Sequence, residues 1–141
     1  NEISPDDFRN NLLELYRRFT KMDCRVFFQT YYAADLSRIM DRSYYDRFMD
    51  YMQIVRDVAA ETGAGLVDHN TRWERFRVAH PAKYKTLMQD AMHLNHRGNM
   101  VMGLDMGRKF GLEVSHGDAM GFWDETFEIL EMMDKLDAAA Q

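Results

Sequence analysis

Apolar residues recur along this 141-residue chain at two periods, and the switches between them mark out its elements. Ser4-Pro5-Asp6-Asp7 supplies a hydroxyl cap, a proline where a helix needs no amide donor, and two acids at the positive end of the dipole. Phe8, Leu12, Leu15, Tyr16 and Phe19 follow at helical spacing, which predicts a helix over 5–20 with one buried face. Arg25-Val-Phe-Phe-Gln-Thr-Tyr31 is too short for a typical helix and rich in aromatic and β-branched residues, the pattern of a buried strand. Cys24 beside it reads as a small buried hydrophobe. The loop over 32–42 then lies at the strand's carboxyl end, where open α/β sheets bind ligands, so Tyr31, Tyr32 and Asp35 are candidates to line a cleft.

Residues 44–62 carry the clearest helical stripe, Tyr45, Phe48, Met49, Met52, Val55 and Ala59, with Asp46, Asp50, Arg56 and Asp57 largely off it. Gly63 and Gly65 punctuate its end, and Leu66-Val67-Asp68 reads as a second short strand. Thr71 opens a helix with Trp73 and Phe76, Pro81 interrupts it, and a short helix with Tyr84, Leu87 and Met88 follows. Residues 95–110 are helical again, with Met100, Val101, Leu104 and Gly107 on or near a packing face. After a loop at Ser115-His-Gly-Asp118, a last helix over 119–138 carries Phe122, Trp123, Phe127, Leu130, Met133 and Leu136. Helices alternating with strands predict an open parallel sheet covered on both faces. Two strands alone would leave both edges open and could not cover these helices, so partner strands are expected from outside this chain.

At 46% hydrophobic residues the chain can fill the core of one domain. A net charge of −5 with interspersed Lys and Arg argues against a nucleic-acid surface, and Arg72-Trp-Glu-Arg-Phe-Arg77 is too short and acid-balanced to reverse that. No apolar run approaches the length of a membrane span. The single cysteine excludes an internal disulfide, and the methionines (12 in all) fall mostly on helical stripes, where they fill core.

The chemistry concentrates in Asp90-Ala-Met-His-Leu-Asn-His-Arg-Gly98. Asp90 and His93 stand three residues apart, close enough for the carboxylate to meet the imidazole across one turn, fix its tautomer and favour the imidazolium. Asn95 can cap the helix that follows, and Gly98 in its first turn leaves room for another element. His93 and His96 form H-x-x-H beside Asp90, but zinc needs further ligands that the sequence does not offer, so no metal is expected. Asp68 and His69 are adjacent at a strand end and point to opposite faces, which leaves Asp68 to cap a helix or tie a loop.

The block Asp-x-x-His-x-Asn-x-x-Gly over 90–98 resembles the last conserved block of the SGNH (GDSL-type) hydrolases, whose Asp and His complete a Ser-His-Asp triad. Asn1-Glu2 resembles the end of that family's Gly-x-Asn-Asp/Glu block, whose Asn donates to the oxyanion hole. The resemblance covers about residues 1–112 and implies the C-terminal part of a three-layer α/β/α domain with a flavodoxin-like parallel sheet; residues 113–141 would be a helical extension. It implies hydrolysis of a carboxylic ester (an acetylated carbohydrate, a lipid or another small ester), with His93 as base, Asp90 orienting it and Asn1 holding the oxyanion. No metal or organic cofactor is implied. Ser4, Ser37, Ser43 and Ser115 lack the Gly-Asp-Ser setting, so the nucleophile is expected on an upstream segment of the same domain, and this segment alone is expected to be inactive. The competing expectation is a non-catalytic helical interaction module, able to form homo-oligomers through its last helix, or a degenerate hydrolase fold kept for binding.

Overall fold

Ser4 caps the first helix as its neighbours predict. In the computed structural model, which describes residues 3–112 and 123–140, the Ser4 hydroxyl oxygen accepts from the Asp7 amide at 3.1 Å at the head of α1 (Pro5–Lys21). The chain continues through β1 (Phe27–Gln29), a 3-10 turn (Leu36–Arg38), α2 (Arg42–Thr62), β2 (Gly65–Val67), α3 (His69–Ala79), α4 (Pro81–Lys85), α5 (His96–Lys109) and α6 (Asp124–Ala138). The described residues thus form a mostly helical α/β protein with a two-stranded parallel sheet. They fall into two compact units, one holding the chain up to Tyr31 with Met40–Asn70, the other Tyr32–Ile39 with the chain from Thr71 onward.

The first unit is built on the parallel pair. Phe27 lies opposite Gly65, Phe28 opposite Leu66 and Gln29 opposite Val67. Phe28 is buried with Val55, Val58 and Ala59 of α2, and Phe8, Leu12, Leu13 and Tyr16 of α1 close over this cluster. Leu13 draws the contact face of α1 round, so that Leu15 and Phe19, expected inside, are 47% and 46% exposed. The first strand is also shorter than the seven-residue run suggested, and Phe27 remains 42% exposed. Among the described residues each strand has one partner, so neither is enclosed as a central parallel strand would be. Gly65 answers a packing need: a Cβ there would lie 2.1 Å from the Phe27 ring. Cys24 is exposed in the turn between α1 and β1, not buried, because the strand begins three residues after it.

Asp41 caps α2 by accepting from the Ser43 amide at 2.9 Å, and Gly63 ends it in the left-handed conformation at φ +69°. Arg56, expected on the solvent side of α2, turns inward. Its guanidinium donates to both carboxylate oxygens of Asp68 at 2.8 and 3.0 Å and to Asn70 Oδ1 at 3.0 Å. Thr30 completes the tie: its hydroxyl donates to Asp68 Oδ1 at 2.9 Å and accepts from the Asn70 amide at 2.8 Å. Asp68 therefore serves as the loop-tying acid, joining the carboxyl ends of β1 and β2 to α2.

In the second unit, Trp73, Phe76, Tyr84 and Leu87 are completely buried. Trp73 and Phe76 both meet Tyr84 edge-on, the preferred arrangement of aromatic quadrupoles, and the Tyr84 hydroxyl donates to the Ala33 carbonyl. Arg72 is buried in this unit, with its guanidinium 3.2 Å from Asp105 of α5 and 2.6 Å from Asp134 of α6, and also paired with Asp137. Phe127, Ile129, Leu130 and Met133 of α6 are buried too, so α6 belongs with the second unit. The expected loop over 115–118 and the expected start of the last helix lie outside the described residues. Among the described residues, no helix is long and apolar enough to cross a membrane.

Candidate active site

The turn that carries Asp90 and His93 is clamped at its base before its side chains are considered. Met88 and Leu94, both buried, form an antiparallel bridge, and the Gln89 amide donates to the His93 carbonyl at 2.8 Å. Within the turn, Asp90 Oδ1 accepts from the backbone amides of Met92 and His93, both at 2.8 Å. An aspartate satisfies this local geometry readily because its short side chain reaches the amides two and three residues on. The same carboxylate meets the imidazole: His93 Nδ1 lies 3.0 Å from Oδ1 and 2.9 Å from Oδ2.

Asp90 is held ionised by these contacts. The Met92 amide, the His93 ring and the His93 amide, in that order, lower its pKa from 3.8 to about 2. An ionised carboxylate only accepts, so in the neutral ring the pair places the proton on His93 Nδ1 and the lone pair on Nε2. Both side chains stay open to solvent, His93 69% and Asp90 52% exposed, which leaves the ring accessible to a reacting group.

Two supports of this turn come from elsewhere in the second unit. The Tyr32 hydroxyl donates to the Met92 carbonyl at 2.8 Å and accepts from the Leu94 amide at 3.0 Å, so one oxygen grips the backbone on both sides of His93. The Asp35 amide donates to the Ala91 carbonyl at 2.9 Å, while its carboxylate accepts from the Ser37 hydroxyl at 2.6 Å and faces Arg38 at 3.2 Å. Tyr32 and Asp35, read from sequence as cleft-lining candidates, are buried props of the His93 turn. The sequence signal for this is slight: a tyrosine followed by Ala33-Ala34 at a strand's carboxyl end.

Downstream, Asn95 caps α5 as its position predicts, accepting at Oδ1 from the amides of Arg97 and Gly98 at 3.0 and 3.1 Å. Its Nδ2 also donates to the Thr86 carbonyl at 2.8 Å, tying α5 back to the end of α4. Gly98 is the close-approach residue, since a Cβ there would sit 2.4 Å from the Leu87 carbonyl oxygen. His96 is exposed in the first turn of α5. Among the described residues, no group of three or more His, Cys, Asp or Glu is placed to hold a metal.

The described serines are each occupied. Ser4, Ser37 and Ser43 donate their hydroxyl protons to Asp7, Asp35 and Asp41 at 2.7, 2.6 and 2.7 Å. Ser115 and Asn1 lie outside the described residues. The site is therefore an exposed, carboxylate-oriented histidine on a braced turn. Compared with protein-family models, with curated proteins and with solved structures, the chain has no match.

Proposed function

We propose that this chain is the C-terminal part of an SGNH-type hydrolase that cleaves a carboxylic ester through an acyl-enzyme. The observation that carries the reading is the Asp90–His93 pair, with Nδ1 2.9 Å from the carboxylate and Nε2 left to act as a base. A parallel sheet whose strands each have one partner, with Phe27 and Leu66 partly exposed on them, supports a larger flavodoxin-like sheet in a three-layer α/β/α domain.

In this reading an upstream segment supplies a Gly-Asp-Ser nucleophile. The serine oxygen attacks the ester carbonyl carbon while His93 Nε2 takes the hydroxyl proton, and Asp90 stabilises the imidazolium. The Asn1 side-chain amide donates to the oxyanion. The tetrahedral intermediate then expels the alcohol, which leaves with the proton from His93. Water, deprotonated by the same nitrogen, next attacks the acyl-enzyme and releases the acid. The substrate is a small ester, and no cofactor takes part.

The test is chemical labelling of the protein isolated with everything upstream of Asn1 that its source provides. A fluorophosphonate should form one covalent adduct, and peptide mass analysis should place it on a serine in a Gly-Asp-Ser setting upstream. Absence of an adduct, or an adduct on Ser4, Ser37, Ser43 or Ser115, contradicts the proposal.

A further inference from the structure

A second feature, in the first unit, has the shape of a ligand site. Ile3, at the entry to α1, and Tyr44, Arg47, Phe48 and Tyr51, on the first turns of α2, line a cavity of about 300 Å³. This is the lower end of the range for small-molecule pockets. Its walls are aromatic and aliphatic, and the guanidinium of Arg47 is the charged group among them.

The walls are held in place from behind. Phe8 meets Tyr51 edge-on with ring centres 4.9 Å apart, and the Tyr51 hydroxyl donates to the Ile3 carbonyl, closing the pocket across α1 and α2. Phe48 is fixed between Tyr31, edge-on at 5.8 Å, and Tyr45, stacked at 6.2 Å. Rings held in this way lose little freedom when a ligand enters, so a small contact area suffices for binding. Tyr31 lies two residues past the end of β1, so Phe48 of the pocket wall packs at the carboxyl end of that strand, the end at which α/β sheets bind ligands.

We propose that this pocket binds a small apolar carboxylate, an aryl or short branched acid, with Arg47 donating to a carboxylate oxygen. As a binding site for an apolar carboxylate it goes beyond the hydrolase reading and stands on the pocket alone. Apolar walls select the ring or branched chain, and the guanidinium favours a carboxyl oxygen over a hydroxyl because a charge-assisted hydrogen bond is the stronger.

The test measures binding and needs no serine. Benzoate titrated into the protein should shift the side-chain resonances of Tyr44, Phe48 and Tyr51 together and saturate. Arg47→Ala should weaken benzoate about tenfold, the loss of roughly one charge-assisted contact, and change benzyl alcohol by less than about twofold. Phe48→Leu, which keeps an apolar side chain, should weaken both ligands. Shifts that fail to saturate, an Arg47→Ala protein that binds benzoate unchanged, or tighter binding of N-acetylglucosamine than of benzoate would each overturn the assignment. A failure here leaves fluorophosphonate labelling untouched, and a failure of labelling leaves the benzoate titration untouched, so the two proposals fall separately.

Discussion

Asp90 carries two roles at once, backbone acceptor and imidazole partner, and its ionisation reports on both. Because its pKa in the fold lies below the ordinary 3.8, the stability it lends the turn is fully present above that pH and is lost as the pH falls through about 2. The amide resonances of Met92 and His93 should therefore move together with a midpoint near pH 2; a midpoint near 3.8 would mean that the carboxylate does not hold the turn. Tyr32 makes a second test at this scale. Its hydroxyl is the partner of the Leu94 amide, which belongs to a residue only 5% exposed, and Tyr32→Phe leaves that amide without it. Urea unfolding should show a loss of about 1–3 kcal/mol, with the His93 resonances broadened; no loss would place water where the hydroxyl now sits. The pairing of Asp90 with His93 was legible in the sequence because the two are three residues apart. The Tyr32 grip was not, because it joins backbone some sixty residues away, and no local pattern encodes such a contact.

At the scale of elements, legibility followed the environment of each face. α2 showed its stripe because one side is solvated, and Tyr45, Met52, Val55 and Ala59 are buried as the spacing predicts. α3 begins at His69 instead of Thr71 and has little amphipathic pattern: Arg72 is buried beside the fully enclosed Trp73, because three acids from α5 and α6 receive its charge. A buried arginine reads in sequence as a solvent-facing one, and Arg56 misleads in the same way through Asp68. Both strands were found; the first was overextended, since the aromatic run over 25–31 exceeds the three residues that pair, and the second starts one residue earlier than expected, at Gly65. The join of α4 to α5 yields the prediction here. Gly98→Ala places a methyl 2.4 Å from the backbone oxygen of Leu87, an atom that cannot swing aside as a side-chain tip would. The substitution should destabilise the protein by about 1–3 kcal/mol despite the helical preference for alanine, and a neutral or stabilised variant in urea unfolding would contradict the packing described.

For the whole molecule, the two-stranded sheet and the Asp90–His93 turn raise the same question from opposite ends. Among the described residues, strands with one partner each and a carboxylate-oriented imidazole with no serine bonded to it are both explained if, as proposed, an upstream segment completes the domain. A helical interaction module would account for the helices but gives no reason for a carboxylate to orient an exposed histidine. The measurement that tests this most directly is the rate of fluorophosphonate labelling of the upstream-extended protein against its His93→Ala variant. The account predicts labelling of the native protein that falls at least about a hundredfold in the variant, the usual contribution of a positioned base. Labelling at an unchanged rate in the variant would contradict it.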